Sequence, residues 1–369
     1  MMSAISLEEL HRRAGAEFAP MGAGQRPSHY GDPTAEYWAA RRAAVLIDQS
    51  HRGRVRVGGR DRLDLIHRLS TNDMLALTPG RGVQNLFLSS KGRIVELFDA
   101  LVFDDHLLLL LTSANAPSVV EWIMQFVFME DVTATDLSAE TAELGVFGPA
   151  AAQVLAAAGA AVSGLEARDH RPAQVGGIQT LVGGAAPLAG SGFRLVCARD
   201  DGARVWEAMV QAGAPLGLRP AGAETEEILR IEAGLPAPRH ELGDRWNPLE
   251  AELRAAISFT KGCYTGQEVV ARLNTYDKVQ RVLRGLRVAG DTVPRTESRI
   301  LAGGAEAGRV TSAAHSPALD AVLALAYIER EHSEPGTKLE IELDPGGTAA
   351  AADVLSPPFV ASVSAFRGH

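Results

Sequence analysis

Lys261-Gly262-Cys263-Tyr264-Thr265-Gly266-Gln267-Glu268 is the stretch on which the reading of this chain turns. Gly262 and Gly266 bracket the thiol, so the backbone can turn tightly there or come close to a ligand. Lys261, two positions before Cys263, would favour a thiolate electrostatically, and a thiolate is the form that attacks carbon or binds a soft metal. The alternative is a buried cysteine that behaves as a small hydrophobe.

Outward from this segment the chain changes character. Before it, helical and strand patterns alternate. Ser6 to Phe18 reads as a helix with Ser6 as its cap and Glu9 three residues on. Residues 20–34, rich in Gly and Pro, read as a loop. Arg54 to Val57 reads as a strand, and Asp61 caps a helix with Leu65, Ile66 and Leu69 inward. Gln84 to Thr112 is strand-like, with turns at Ser89–Gly92 and Asp104–His106. Ser118 to Met129 and Ala150 to Ala158 read as helices, and residues 160–193 as a small sheet running into a strand at Arg194–Cys197. Asp201 to Ala212 reads as a helix stopped by Gly213. After Val282 only short alternating runs remain, separated by Gly, Pro and Asp, as in a small β-barrel.

Composition sets the bounds. At about 150 residues per domain, 369 residues predict two or three domains. With 46% hydrophobic and 22% charged residues the chain has ample core. A net charge of −9 argues against a protein that grips nucleic acid over its whole surface. Two cysteines, Cys197 and Cys263, make a poor disulfide framework and cannot supply a four-cysteine cluster. No zinc spacing, Walker loop or dinucleotide fingerprint is present; Gly22-x-Gly24 lacks the strand-to-helix context. The first residues lack a signal-peptide core and no apolar run could span a bilayer, so a reducing, cytoplasmic location without membrane attachment is expected.

Longer matches surround the octapeptide. Arg230-Ile231-Glu232-Ala233-Gly234 precedes it, followed by Asn247-Pro248-Leu249-Glu250; Asp48-Gln49-Ser50-His51 and Leu69-Ser70-Thr71-Asn72-Asp73 lie near the N-terminus. Together with Val269-Val270-Ala271-Arg272 they resemble the YgfZ family, relatives of the glycine-cleavage T-proteins, over about residues 35–290. T-proteins themselves lack the cysteine motif.

The resemblance implies an α+β fold with a three-domain T-protein-like arrangement: two mixed α/β folate-binding lobes and a C-terminal β-barrel. It implies interleaved lobes, with residues 1–48 and 137–280 in one, 49–136 in the other, and 281–369 in the barrel. It implies tetrahydrofolate or a one-carbon derivative as cofactor, with Glu232 on the pterin ring and Arg230 beside it; a carboxylate suits the adjacent N–H groups of a 2-aminopyrimidinone. The T-protein acidic site falls on Asp99, although two extra residues after Gly92 allow a register that uses Glu96 instead. Between Lys261 and Arg287 six cations face two anions, a local excess that would hold an anionic glutamate tail, with Arg272 and Arg281 as the preferred contacts. A solvated strand face is the plain alternative.

Three functions follow from these expectations. The first is folate-dependent assembly or repair of iron–sulfur proteins, with Cys263 meeting a cluster, a partner thiol or a folate-borne carbon. The second is an aminomethyltransferase-like one-carbon transferase or demethylase. The third is a scaffold without chemistry. Cys263, Lys261 and Asp99 are the candidate reactive residues, folate and iron–sulfur proteins or assembly factors the candidate partners, and no metal site is expected.

Overall fold

The computed structural model describes residues 5–21, 24–344 and 347–360. Helix α1 (Leu7–Arg13) begins where Ser6 accepts the Glu9 N–H (3.2 Å). The stretch read as a loop is instead a hairpin, β1 (Glu17–Met21) with β2 (Gly24–His29), leading into α2 (Pro33–Arg42). Its Pro27 lies in a two-stranded ribbon, where edge positions tolerate proline. Strand β3 (Ala44–Asp48) follows.

A first lobe then forms from one continuous segment: β4 (Arg54–Gly58), α3 (Arg62–Leu69), β5 (Gly82–Leu88), β6 (Ile94–Val102), β7 (His106–Leu111), α4 (Ala116–Met124) and β8 (Thr133–Asp136). The strands make a sheet in the order β5-β6-β7-β4-β8. Helices α3 and α4 cover one face through Leu65, Ile66, Val119 and Ile123. Helix α4 ends five residues short of Met129; Phe128 and Met129 stand 83% and 97% exposed.

The chain next returns to β3. Strand β9 (Thr141–Gly148) pairs with it, followed by α5 (Ala151–Ala157), β10 (His170–Val175), β11 (Ile178–Gly184), β12 (Ser191–Ala198), α6 (Gly202–Gly213), β13 (Leu218–Pro220) and α7 (Ala223–Ala233). The second sheet runs β10-β11-β12-β9-β3-β13, with β13 parallel to β3. Gly213 belongs to α6; the left-handed residue that ends this region is Gly217 (φ +77°), one short 3₁₀ turn later.

The two sheets meet across Leu101, Leu108, Leu110, Leu181 and Val196. The third unit is a closed six-stranded barrel, β14 (Arg281–Val288), β15 (Arg299–Ala302), β16 (Ala305–Ser316), β17 (Ala321–Glu329), β18 (Lys338–Glu342) and β19 (Ala349–Leu355), sealed by β14 against β19. Before it lies α8 (Gln267–Thr275), a helix the sequence reading did not separate from its loop. Between the first lobe and the barrel, Ile231, Trp246, Leu253, Tyr264 and Val270 make a common core with Leu86 and Leu97 on one side and Leu325 and Tyr327 on the other. Such shared burial fixes the relative placement of the units, because apolar area removed from water contributes about 25 cal/mol per Å².

Candidate functional site

Helix α7 is the spine of the site. Its first turn is acidic, which suits a helix N-terminus, and Gly234 ends it at φ +70°. Each turn presents a buried charged side chain to a different neighbour.

At the N-terminal end, Glu226 accepts from Arg26 (2.5 Å), Arg52 (2.7 Å) and Gln49 (2.5 Å). Burial works to raise its pKa, but Arg26 and then Arg52 overcome this and hold it down to about 2. His51 lies against Arg26 (3.4 Å). Burial, reinforced by Arg26, lowers the His51 pKa to about 3, so its ring is neutral near pH 7. The Asp48-Gln49-Ser50-His51 segment is therefore more than the turn expected for His51: it delivers two side chains, Gln49 and His51, to the Glu226 cluster, with Arg52 following directly.

At the C-terminal end, Glu232 is 1% exposed. One carboxylate oxygen accepts from Tyr37 (2.7 Å) and from Ser316 of the barrel; the other accepts from Arg41. The solvated helix face is thus excluded for Glu232. A carboxylate carries about four acceptor sites, and three donors already hold this one. Arg230 is buried too, and it binds Glu227, Glu241 (3.1 Å) and Ser312 (2.6 Å). This is a correction to its expected place beside a ligand: with every terminal nitrogen spoken for, Arg230 ties α7 to the barrel.

The acidic position of β6 resolves in an unexpected way. Asp99 accepts from Arg168 (2.8 Å) with one oxygen and from Arg194 (3.1 Å) with the other. Arg194 also faces Glu143 (3.0 Å). Asp99 points into the seam between the sheets, so both of its oxygens serve lobe-to-lobe pairing and not the proton-handling role expected of it. Glu96 is different. One oxygen accepts from Thr112 N (3.1 Å), Thr112 Oγ1 (2.8 Å) and Ser113 N (3.2 Å), and the other from Ser113 Oγ (2.5 Å). Burial raises its pKa above the ordinary range; those donors oppose the shift and no cation joins them.

The octapeptide is built as a brace. Lys261 donates to the carbonyls of His67, Ser70 (2.7 Å) and Asn72 (3.0 Å) at the end of α3, where a cation is favoured. Its three ammonium donors are thus committed to carbonyls, which leaves none to hydrogen-bond the thiol. Gly266 takes φ +82°, and a Cβ there would lie 2.6 Å from the Ser89 carbonyl oxygen, so only glycine lets α8 dock on the Ser89–Gly92 turn. Tyr264 is buried, while Cys263 between these anchors is exposed. The buried-hydrophobe reading applies to Cys197 and not to Cys263. Arg272 and Arg281 are exposed and lack side-chain hydrogen-bond partners among the described residues. Among the described residues, no helix is long and apolar enough to cross a membrane.

Sequence reasoning missed Arg26, Arg52 and the Thr112-Ser113 pair. Arg26 lay in the segment read as a loop, and only its alternation with Gln25 and Pro27 hinted at a strand. Thr112 and Ser113 follow the leucine run Leu107–Leu111, where a switch to hydroxyl residues was the available signal.

Comparison with known proteins gives the setting for this geometry. Residues 7–261 match the GCVT N-terminal domain and residues 281–361 the glycine cleavage T-protein C-terminal barrel domain. The chain is 35% identical to an aminomethyltransferase of Symbiobacterium thermophilum, with 96% of each chain covered. An aminomethyltransferase of Saccharopolyspora erythraea is 32% identical, again over 96% of both. A crystal structure of glycine cleavage system aminomethyltransferase T from Bartonella henselae superimposes with a TM-score of 0.88 at 23% identity, covering 96% of this chain and 97% of that one, which establishes the shared three-unit fold.

Proposed function

Because the chain belongs to the glycine-cleavage T-protein family, we propose that it is a folate-dependent one-carbon transferase of the aminomethyltransferase type. The observation that carries this reading is the match to aminomethyltransferases over almost the whole of both chains. The expected division, with 49–136 as one lobe, 1–48 and 137–280 as the other and 281–369 as the barrel, is kept as part of the proposal.

Tetrahydrofolate, when bound, supplies the nucleophilic nitrogen that receives the carbon unit. The residues present suit it in chemistry: Glu232 is an ionisable carboxylate facing neutral donors, Tyr37 and Ser316, that a pterin's paired N–H groups can replace. Exchange of the Ser316 hydroxyl alone frees an acceptor on that oxygen. Arg272 and Arg281 are free to meet the anionic tail.

In this reading Glu96, not Asp99, handles the proton. A general acid or base works best with a pKa moved toward the working pH, and the burial of Glu96 moves it upward. Thr112 and Ser113 fix its oxygens, so its orientation is set before substrate arrives.

The test is folate-dependent release of ammonia from an aminomethyl-lipoyl carrier protein, followed together with tetrahydrofolate binding. Turnover by the wild type that Glu96→Gln abolishes and Asp99→Asn leaves in place supports the assignment. Binding without turnover would sink the transferase reading.

A second reading has its own observation. An exposed thiol held between two rigid anchors, in a motif similar to that of the YgfZ family, is an arrangement a pure aminomethyltransferase does not need. It supports folate-dependent maintenance of iron–sulfur proteins, with those proteins or their assembly factors as partners. Cys263→Ala would then fail to restore iron–sulfur enzyme activity in cells lacking the protein while still binding tetrahydrofolate.

A further inference from the structure

The two sheets also meet at one edge, where the start of β10 lies against the turn before β5. His170 donates its backbone N–H to the Gly80 carbonyl (2.9 Å), and Gly80 donates in turn to the Val102 carbonyl (2.9 Å). A Cβ on Gly82 would lie 2.5 Å from the Arg168 carbonyl oxygen, so the two segments come as close as glycine permits. Across the same contact Arg81 pairs with Asp169 (2.8 Å) and Arg168 with Asp99 (2.8 Å).

This edge holds an imidazole with nothing to bond. His170 is 4% exposed, and neither ring nitrogen has a hydrogen-bond partner among the described residues. The ring packs on Phe103 of the β6–β7 turn, with 4.5 Å between centroids, and His106 stacks on the same Phe103 at 4.3 Å. A neutral imidazole carries one N–H, and leaving it unpaired in the interior is costly; a charged ring without a counter-ion is costlier.

The acids nearby have other partners. Asp169, on the same segment, is held by Arg81; Asp105 by His106 (2.6 Å) and Arg56 (3.1 Å); Asp99 by Arg168 and Arg194. Glu166 faces Arg81 (3.7 Å). Arg81, Arg168 and Arg194, with His106 when protonated, oppose one more positive charge. The Arg168 and Val102 carbonyls face the ring and favour its charged form, yet neither is placed to accept a hydrogen bond from it. Burial prevails and lowers the His170 pKa.

From this geometry we infer that His170 is an acid-sensitive latch between the two lobes: neutral, it lets β10 seat on Gly80–Gly82 and Phe103; protonated, it is driven toward water and the contact opens. A histidine whose pKa is lowered in the closed form binds its proton in the open one, so opening gains as pH falls through about 6.5, the ordinary value of a free imidazole. Between pH 7.5 and 5 the open population rises up to about thirtyfold. The step is protonation alone, and it stands whether or not the protein transfers a carbon unit.

Hydrogen exchange of the full chain at pH 7.5, 6 and 5, read by mass spectrometry and corrected for the intrinsic pH dependence of exchange, tests the latch. Peptides covering 78–84, 100–106 and 168–175 are expected to lose protection by up to about thirtyfold from pH 7.5 to 5, while the barrel strands β16 and β17 keep theirs. His170→Phe places an apolar ring against Phe103 that cannot titrate, and His170→Gln removes the titration but keeps a polar group; the unfolding midpoint of each variant checks its fold. The acid step is lost in both and kept in His106→Gln. A wild type whose seam protection does not change with pH overturns the latch. So does an acid step that survives in the two His170 variants, or one that His106→Gln abolishes. Equal loss of protection in the barrel also overturns it, because the whole molecule would then unfold and not the seam.

Discussion

Glu226 and Glu96 are both glutamates sealed from water, yet their surroundings push them in opposite directions. Glu226, on α7, meets two guanidiniums and an amide, and its pKa falls to about 2. Glu96, on β6, meets only hydroxyls and peptide N–H groups, and burial raises its pKa. Burial alone opposes ionisation of both; what separates them is a full opposite charge within hydrogen-bonding distance. One carboxylate is thereby a fixed anion that organises structure, and the other takes up a proton more readily than a free glutamate. Asp99, three residues on from Glu96 in the same strand, does meet full opposite charges, Arg168 and Arg194.

The largest test of this contrast is Glu226→Met. It leaves the Arg26 and Arg52 guanidiniums without the carboxylate they share, and breaking a buried ion pair by removing one partner costs about 3–5 kcal/mol, whereas Arg52→Gln with Glu226→Gln removes one of the two cations together with the carboxylate and restores part of that stability. Chemical denaturation measures the difference; equal losses in the single and double variants would show that the pair is not what stabilises this end of α7.

Next in size is the effect of Glu96→Gln on turnover. Loss of a positioned general acid or base lowers the rate roughly 10²-fold or more, while Asp99→Asn alters stability with little change in the chemical step. Reversal of that pattern would return the proton-handling role to Asp99.

The pH dependence of unfolding carries the contrast in sign. For Glu226 the folded pKa lies below the unfolded value, so its contribution is present above about pH 4.5 and is lost as pH falls toward about 2. For Glu96 the folded pKa lies above the unfolded value, so its contribution is full below that value and fades as pH rises through the raised one. Unfolding free energies measured between pH 3 and 7 therefore flatten on the acid side in Glu226→Gln and on the rising side in Glu96→Gln.

The smallest expected change is Cys263→Ala, within about 0.5 kcal/mol of wild type because the side chain is exposed. Gly266→Ala in the same loop provides the counterpart: it forces a left-handed residue against the Ser89 carbonyl and lowers stability measurably. Thermal unfolding of the two side by side shows whether the loop's backbone, and not its thiol, is what the fold requires.

Much of the fold was legible in local patterns. Alternation at Arg54–Val57, the capping residue Ser6 and the helical spacing of Leu65, Ile66 and Leu69 depend on neighbours only a few residues away, and each of these elements is present. The hairpin at Glu17–His29 was hidden because its Gly and Pro content outweighed a weak alternation, and its strands are held by pairing with each other and by Arg26 on Glu226. Helix α8 was hidden because it has only nine residues and starts at the second glycine of the octapeptide, where turn signals outweigh so short a helical period.

By itself the sequence determined the order of units and the all-β end of the chain, since composition and period are properties of the chain. Tertiary structure alone decided which acids meet a guanidinium and which meet only neutral donors, and that Arg230 and Lys261 are struts. Those outcomes depend on which charges come within a few ångströms across long chain separations, 174 residues in the case of Arg52 and Glu226. In a low-dielectric interior such distances, and not residue type, set the cost of holding a charge.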